Sequence, residues 1–256
     1  MKYLGAVTSD IGTHRKTNQD SVCLKIIETK RYGQIALVII CDGMGGYQKG
    51  ELASAEVVQT FAEWFENQLP VIVRNYSWNQ IRKEWSILIY DLNSRIMKYG
   101  EENHIRLGTT LSALLCIGDS YLITHIGDTR IYCIDNEVQQ LTEDHTVVAR
   151  QIREGVLKKE DAEKSKRKNV LTQCIGCSRY LTPQFLMGKI KPGTVYVCCS
   201  DGFRHVINEK EIYSSFQFRN LNTIDGMRRK EEEMIELIKC RGEKDNITVG
   251  LLKCMR

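Results

Sequence analysis

Two parts of the chain combine a run of apolar residues with an acidic turn that follows it. Residues 34–41 read QIALVIIC and lead directly into Asp42, and residues 194–199 read TVYVCC and are followed by Ser200 and Asp201. A continuous apolar run of this length, bounded by turn residues, is typical of a strand buried on both faces. The chain therefore has to place carboxylates at the ends of buried strands, where an unpaired charge is costly.

The spacing of apolar residues changes to that of amphipathic helices after Glu51. One helix is predicted from Val57, Phe61, Trp64 and Phe65, and a second, longer one from Trp78, Ile81, Trp85, Leu88, Leu92 and Ile96. The tryptophans in this pattern are expected to fill a core rather than to stack on a ligand.

Short strands separated by turn residues dominate residues 109–142, which predicts an antiparallel meander. Residues 147–169 are helical in composition but rich in Lys, Arg and Glu, so a mobile surface segment is expected there. The chain ends with a charged helical stretch over 222–240 and a closing strand. This order predicts an α+β fold whose sheets lie between helical layers, as one domain over residues 1–256.

Composition and charge exclude several classes of protein. The formal net charge of +4 comes from 36 basic and 32 acidic residues, too even a balance for a protein that coats nucleic acid. No apolar run approaches the length of a membrane span, and the N-terminal residues MKYLGAVTSDIG lack the apolar core of a secretion signal. We therefore expect a cytoplasmic protein that binds neither nucleic acid nor membrane.

The ten cysteines lie mostly in apolar, strand-like stretches, which indicates reduced core thiols. Cys198 and Cys199 would point to opposite faces of their strand and are poor partners for each other. Cys174 and Cys177 form a CxxC pair, but no second Cys or His pair with comparable spacing accompanies it. Metal or redox use of this pair is therefore the less favoured interpretation, and a redox role stays open.

Four aspartates stand where predicted strands begin or end: Asp42, Asp128, Asp201 and Asp245. Hard carboxylate oxygens suit Mg²⁺ or Mn²⁺, whereas the absence of His and Cys at these positions argues against zinc. Glycine after Asp42 and Asp201 allows the backbone to approach a ligand closely. Each aspartate taken alone is better explained as a turn residue, because Asp-Gly is a common turn dipeptide.

Seven short motifs, in order along more than two hundred residues, favour a shared functional role for these aspartates over the interpretation as turn residues. They are RKTNQDS at 15–21, CDGMGGYQKGELAS, LGTTLSALL, HIGDTRIY, LTEDHT, CSDG and DNITV. Together they closely resemble the metal-dependent protein phosphatases of the 2C type, particularly the compact bacterial members. The resemblance implies a four-layer α-β-β-α sandwich with two central, mostly antiparallel sheets.

The resemblance also implies a centre of two Mn²⁺ or Mg²⁺ ions. Asp42 would bridge the two ions, the Gly43 carbonyl would bind one, and Asp201 and Asp245 would bind the other. Such a centre could bind phosphate oxygens and lower the pKa of a bridging water.

Further residues take supporting roles under the same resemblance. Asp20 would orient waters on the metals, and Asp128 would join Asp201 in holding a third ion, as in bacterial relatives. Arg15 would clamp the substrate phosphate with its planar fork of donors. Gln19 stands where the family usually has Glu, so that position loses a charge but could still orient a metal water.

Met44 is a second departure from the family pattern. Many eukaryotic members have His at this position, proposed there to protonate the leaving group, and Met44 cannot donate a proton. His14 is a nearby substitute, although an exposed loop histidine beside Arg15 is the favoured interpretation. The sequence does not identify the acid.

A basic group within the expected flap, at about 146–170, has two interpretations. It comprises Lys158, Lys159, Lys164, Lys166, Arg167 and Lys168. It could attract acidic phosphopeptides, but charge-rich segments are more often solvated surface.

The expected activity is hydrolysis of phosphoserine and phosphothreonine in proteins by direct attack of a metal-activated water. The expected partners are phosphorylated proteins, a serine/threonine kinase among them, and the expected state is a monomer. Two alternatives from the same fold are a regulatory phosphatase of a sporulation or sigma-factor pathway and a phosphoprotein-binding pseudophosphatase. A metal nuclease would fit the carboxylates but not the even charge balance.

Overall fold

The computed structural model describes residues 1–45, 49–165 and 167–256, with the side chains of Lys159, Glu163 and Lys164 left aside. Of the basic flap group, Lys166 lies outside the described residues. The strands are β1 Lys2–Asp10, β2 Asp20–Thr29, β3 Gly33–Gly45, β4 Leu107–Thr109, β5 Leu111–Ile117, β6 Ser120–Ile126, β7 Arg130–Ile134, β8 Val138–Gln140, β9 Gln184–Lys189, β10 Val195–Cys199 and β11 Ile247–Met255. The helices are α1 Gly50–Asn67, α2 Leu69–Ile72, α3 Trp78–Glu102, α4 Val147–Arg153, α5 Asp201–Arg204, α6 Glu209–Phe216 and α7 Ile224–Cys240.

The strands form two sheets with antiparallel neighbours. One sheet has the order β1-β11-β10-β7-β8, and the other has the order β2-β3-β5-β6-β9 with β4 paired to β3. A core of side chains from both sheets, including Val38, Leu114 and Cys198, lies between them. Helices cover the outer face of each sheet, so the α-β-β-α sandwich predicted from the sequence is confirmed.

The first predicted buried strand is β3. Its residues from Ile35 to Cys41 are completely inaccessible to solvent, because neighbouring strands flank it on both edges and cores cover both faces. Alternate side chains serve different cores: Leu37 faces the helices and Val38 faces the other sheet. The unbroken apolar run is thus the consequence of burial on two faces.

Both predicted amphipathic helices are present as α1 and α3, and they pack on the outer face of the β3 sheet. Trp64 and Trp85 meet edge to face with ring centroids 5.5 Å apart inside this core, as expected for core-filling rings. Ile89, which the predicted stripe omits, is fully buried, whereas Leu88 is only partly buried. The inward face of α3 is therefore one residue wider than the predicted stripe.

The second predicted buried strand is β10, and α6 and α7 cover its outer face. Cys199 belongs to the core under these helices, and Cys198 belongs to the core between the sheets. The prediction that the two thiols point to opposite faces is confirmed. All ten cysteines are free, and the Sγ of Cys177 lies 3.2 Å from the Leu107 carbonyl oxygen.

The predicted meander over 109–142 divides between the two sheets. β5 pairs with β6 and β7 pairs with β8, but β6 does not pair with β7. The chain crosses from one sheet to the other at Gly127, whose φ is +105°. A Cβ at this position would lie 2.5 Å from a methyl carbon of Thr110, so glycine is needed for both the conformation and the space.

The charged segment after β8 forms α4 and, over Lys159–Lys164, a short 3₁₀ helix. Gly155, at a φ of +72°, follows Glu154 at the C-terminal end of α4, so the helix stops at this glycine. None of the helices in the described part of the chain combines the length and apolarity that a membrane crossing needs.

Glu231 is a buried carboxyl group far from the strand-end aspartates. It lies on α7 with no exposed surface; its Oε2 accepts a hydrogen bond of 2.7 Å from Thr8, and its Oε1 has no partner among the described residues. Burial raises the pKa of Glu231 from 4.5 to about 8, and the Thr8 hydrogen bond and the charge of Arg228 offset this only in part. The folded protein therefore holds this group in its neutral form.

We predict that the protein loses stability as the pH rises from 4.5 toward 8, because the unfolded chain then releases the Glu231 proton more readily than the folded one. Glu231→Gln should flatten this slope and raise the free energy of unfolding at pH 8 by a few kcal/mol, at about 1.4 kcal/mol per pKa unit. Urea unfolding at pH 5 and pH 8 measures the change. Glu101→Gln, at an exposed position of α3, is the matched control, and equal slopes for both variants would contradict the assignment.

Candidate metal centre

The two sheets bring five aspartates to one end of the sandwich. Asp20 begins β2 and lies directly opposite Asp42 in β3. Asp201 begins α5 after β10, and Asp245 precedes β11. Asp128 lies in the turn where the chain crosses between sheets. The charges of the other four aspartates all act on Asp42, which places Asp42 at the centre of the group.

Two threonines fix the backbone of Asp42. Its amide donates a 2.8 Å hydrogen bond to the Thr110 Oγ1, and its carbonyl accepts from the Thr109 hydroxyl at 3.0 Å and from the Thr110 amide at 2.9 Å. Both threonines are fully buried. The central carboxylate therefore stands on a rigid strand end, and the Gly-Thr-Thr motif supplies that rigidity.

Glycine next to each central aspartate allows the chain segments to meet closely. A Cβ on Gly43 would lie 2.3 Å from the Gly50 carbonyl oxygen, and one on Gly202 would lie 2.1 Å from the Asn246 carbonyl oxygen. Any larger residue would push these segments apart. Both glycines thus permit close packing of neighbouring backbone segments, and close approach of the backbone to a ligand stays a prediction.

Gln19 connects three parts of the site through its backbone. Its amide donates to the Asn246 side chain at 2.9 Å, and its carbonyl accepts from the Gly43 amide at 3.0 Å and the Ser54 hydroxyl at 2.6 Å. Its side-chain amide lies 3.4 Å from the Glu51 carboxylate. Gln19 therefore holds the Asp42 and Asp245 segments together.

The crowding of carboxylates controls their protonation. Loss of hydration, reinforced by the negative charges of Asp20 and Asp201, raises the pKa of Asp42 well above its usual range. Burial and the charges of Asp201 and Asp245 raise the pKa of Asp20 to about 7, although hydroxyl donors from Thr248 and Ser200 oppose this. Positive charge at this point would reverse both shifts.

Asp201 differs from its neighbours because it has cationic partners. Burial alone would raise its pKa, but the hydrogen bond and charge of His205, together with the charge of Arg204, lower it to about 2. The Nε2 of His205 lies 3.3 Å from Asp201, and its Nδ1 lies 3.2 Å from Glu243. The pKa of Asp201 is therefore displaced in the opposite direction from those of Asp20 and Asp42.

Asp128 lies at the edge of the group beside an arginine. Burial and the charge of Asp201 raise the pKa of Asp128 to about 7, and the charge of Arg204 opposes that rise. The Arg204 guanidinium lies 3.6 Å from the Asp128 carboxylate and donates to the Asp128 carbonyl at 3.2 Å.

Arg15 contacts Asp245. Its Nε and Nη2 bind the two carboxylate oxygens at 2.9 and 2.7 Å, with the arginine side chain half exposed. The expected phosphate clamp is thus at the site, paired with an expected metal ligand.

Neither Met44 nor His14 gains support from the structure as the acid that protonates the leaving group. Met44 lies in β3 opposite Gly108 of β4. His14 is exposed, and its Nδ1 lies 2.8 Å from the Thr13 hydroxyl. His14 is therefore a loop histidine, as favoured from the sequence.

Sequence reasoning missed three residues that organise the site. Asn246 is buried and donates to the carbonyls of Ile11 and Thr17, which ties the Arg15 loop to β11. Arg204 and His205 contact Asp128 and Asp201. The only available signal was that His205 stands four residues after Asp201, one helical turn away.

Two buried oxygens in the centre suit cations. The Oδ2 of Asp20 and the Oδ1 of Asp201 have no hydrogen-bond partner among the described residues, and a buried acceptor left in that state is costly. Across residues 1–45, 49–165 and 167–256, no three His, Cys, Asp or Glu side chains lie in an arrangement that could hold a metal ion without rearrangement. Arg15 and His205 hold Asp245 and Asp201 in this arrangement, so binding of ions requires those side chains to shift.

A cavity of about 1270 Å³ lies beside the aspartate group, between the flap and α6. Its walls include Thr146, Ile152, Lys168, Arg204 and Ile212. Arg204 therefore separates the aspartates from a space large enough for several side chains of a peptide.

Comparisons with known proteins agree with this architecture. The family description "Protein phosphatase 2C" matches residues 13–237. The chain is 31% identical over 252 residues to a putative protein phosphatase 2C-type of Streptococcus pyogenes serotype M6, with 96% of each chain covered. It superimposes on the serine/threonine phosphatase of S. agalactiae with a TM-score of 0.85 and 30% identity, covering 99% of this chain and 100% of the other.

A further solved structure is similar over almost its whole length. It is the catalytic domain of the serine threonine protein phosphatase PstP in complex with two manganese ions, which has a TM-score of 0.78, 26% identity and 99% coverage of both chains. The family match, the relatives and the fold all point the same way. The chain belongs to the protein phosphatase 2C family of metal-dependent serine/threonine protein phosphatases.

Proposed function

We propose that the chain hydrolyses phosphoserine and phosphothreonine in proteins at a centre of two Mn²⁺ or Mg²⁺ ions. The observation that carries this proposal is the crowding of Asp20, Asp42 and Asp201. Loss of hydration and the charge of Asp201 raise the pKa of Asp20 and of Asp42, and Asp20 and Asp201 each have a buried oxygen without a partner among the described residues. Such a group is stabilised by added positive charge. All-oxygen donors favour Mn²⁺ or Mg²⁺ over zinc, and PstP, a relative of the same fold, binds two manganese ions.

The ligands would be Asp42 between the ions, the Gly43 carbonyl on one of them, and Asp201 and Asp245 on the other. When bound, the ions would supply neutralisation of phosphate oxygens and a water of lowered pKa. Asp20 would accept hydrogen bonds from waters at the centre through its Oδ2, which has no partner among the described residues, and Gln19 would present its amide to the same waters. Asp128 as ligand of a third ion stays a prediction.

Arg15 would bind the substrate phosphate. It now binds both oxygens of Asp245 with two parallel donors, which is the geometry that a phosphate group also accepts. Its guanidinium therefore has to leave Asp245 to bind substrate, and half of the side chain is already in solvent. The proton donor to the leaving group is not among the residues assigned.

The retention of all four strand-end aspartates opposes the pseudophosphatase alternative, since loss of ligands is what that alternative predicts. A role in a sporulation or sigma-factor pathway stays a prediction. So do the single-domain organisation over 1–256, the monomeric state, the cytoplasmic location and a kinase among the phosphoprotein substrates.

The activity is tested by release of phosphate from phosphothreonine and phosphotyrosine peptides of the same sequence, with Mn²⁺ and with chelator. We expect Mn²⁺-dependent release from the phosphothreonine peptide in clear preference to the other. Equal rates with chelator present would contradict the proposed metal chemistry.

Asp42→Asn should reduce turnover to below a few per cent of wild type, because the amide removes the charge that holds two cations together. Circular dichroism should show an unchanged fold, since the backbone of residue 42 is held by Thr109 and Thr110. Asp119→Asn is the matched control, because Asp119 is exposed and its side chain contacts Lys189 and Ser120, outside the aspartate group. Turnover of the Asp42 variant close to that of the control would remove Asp42 from the site.

Arg15→Ala should raise KM for a small phosphoester about 10- to 100-fold, the loss expected when a charge-assisted hydrogen-bond pair is removed. The rate at saturating substrate should change less, because the metal ligands remain. Lys16→Ala removes a neighbouring positive charge without the bidentate contact and serves as control. If both variants have the wild-type KM, Arg15 is not the clamp.

A further inference from the structure

Arg204 contacts Asp128 from the wall of the cavity between the flap and α6. One guanidinium nitrogen lies 3.6 Å from the Asp128 carboxylate, 3.2 Å from the Asp128 carbonyl oxygen and 3.5 Å from the Asp144 carboxylate. The side chains of Arg204 and Asp128 are only 15% and 8% exposed, so the contact is poorly screened by solvent.

The charges around this contact already balance. Arg130 binds both oxygens of Asp144 at 2.8 Å, and Arg204 adds a second positive charge that faces Asp144 and Asp128 together. Two arginines therefore face two aspartates without any added ion. A divalent cation beside Asp128 would meet the charge of Arg204 at close range.

The second carboxylate expected at a third ion is also engaged. His205 lies 3.3 Å from one oxygen of Asp201, and its other nitrogen lies beside Glu243. The remaining Asp201 oxygen, without a partner among the described residues, is the one left for the central pair. One carboxylate oxygen of Asp128 and one of Asp201 are therefore each already in contact with a basic side chain.

We propose that the guanidinium of Arg204 takes the place of a third divalent cation at Asp128, so that this chain binds two ions instead of three. The proposal rests on the two-ion centre proposed above. Arg204 is a positioning residue: it neutralises Asp128 and holds that carboxylate without touching substrate. An arginine suits this place because it is always charged and is more weakly hydrated than an ammonium group.

The position of Arg204 on α5 suits it to take the place of a third ion. Arg204 stands three residues after Asp201 in the same helical turn, so one short element carries an ion ligand and the cation that excludes a further ion. A third ion would be held by few protein oxygens and would bind weakly, so a resident positive charge is enough to prevent its binding.

The test counts ions and locates them. Crystals of the wild type, Arg204→Ala and Arg204→Lys are soaked at about 10 mM Mn²⁺, well above the affinity range of weak oxygen sites, and anomalous maps are compared. Equilibrium dialysis gives the number of ions in solution. The wild type and Arg204→Lys should hold two ions, and Arg204→Ala should gain a third at Asp128.

The melting temperature, measured at increasing Mn²⁺ concentrations, tests for the additional ion in solution, without crystals. The melting temperature of Arg204→Ala should continue to rise at concentrations where that of the wild type has levelled off, because a further site is filling. Adding Asp128→Ala to the Arg204→Ala variant should remove this extra rise.

Three results would overturn parts of the proposal separately. A third ion at Asp128 in the wild type, beside a filled central pair, would overturn the role of Arg204 alone. A folded Arg204→Ala variant without a third ion would do the same. No ions at Asp42 and Asp245 in the wild type would instead overturn the two-ion centre, and with it this inference. If Arg204→Ala fails to fold, the maps of the wild type and of Arg204→Lys still test the proposal, because both should hold two ions and a third ion at Asp128 would contradict it.

Discussion

The mutual repulsion of carboxylates at one end of the sandwich is the constraint on which the site depends. Asp20 and Asp42 face each other across paired strands, and Asp201 arrives from the opposite sheet. Each is poorly hydrated, so the free energy of this arrangement depends on protons or on positive charge brought close. The buried strands tolerate such an end because their hydrogen bonds and two apolar cores hold the backbone in place.

Positive charge reaches this end in different ways. Arg15 comes from a solvent-exposed loop and is half exposed, so its contact with Asp245 is easily exchanged for another anion. Arg204 is largely shielded from solvent, with 15% of its side chain exposed, and faces two carboxylates, so its contact is a more fixed part of the fold. The same side-chain type thus serves a transient contact at the mouth of the site and a permanent one behind it.

Much of the fold could be predicted from the sequence. The apolar run before Asp42 and the helical spacing from Val57 onward depend only on burial, so β3 and α1 followed from local pattern. The pairing of β7 with β10 could not be predicted in this way, because the crossover between the sheets depends on the conformation of Gly127 and not on the apolar pattern of the strands. The contacts of Arg204 were also missed, since they depend on how α5 lies against the turn at Asp128, and no spacing along the chain encodes that approach.

The crossing between β6 and β7 consists of residues 127–129 alone, and this shortness has a consequence for how the chain tolerates changes in length. Three residues leave no slack between two sheets, so an added residue there would have to bulge into the aspartate group or shift one sheet along the other. The stretch from Glu154 to Leu157 is largely exposed and belongs to no strand, so length there is free to vary. Insertions, affinity tags or fused domains therefore belong in that stretch, and the crossing has to keep its length in any variant that retains the site.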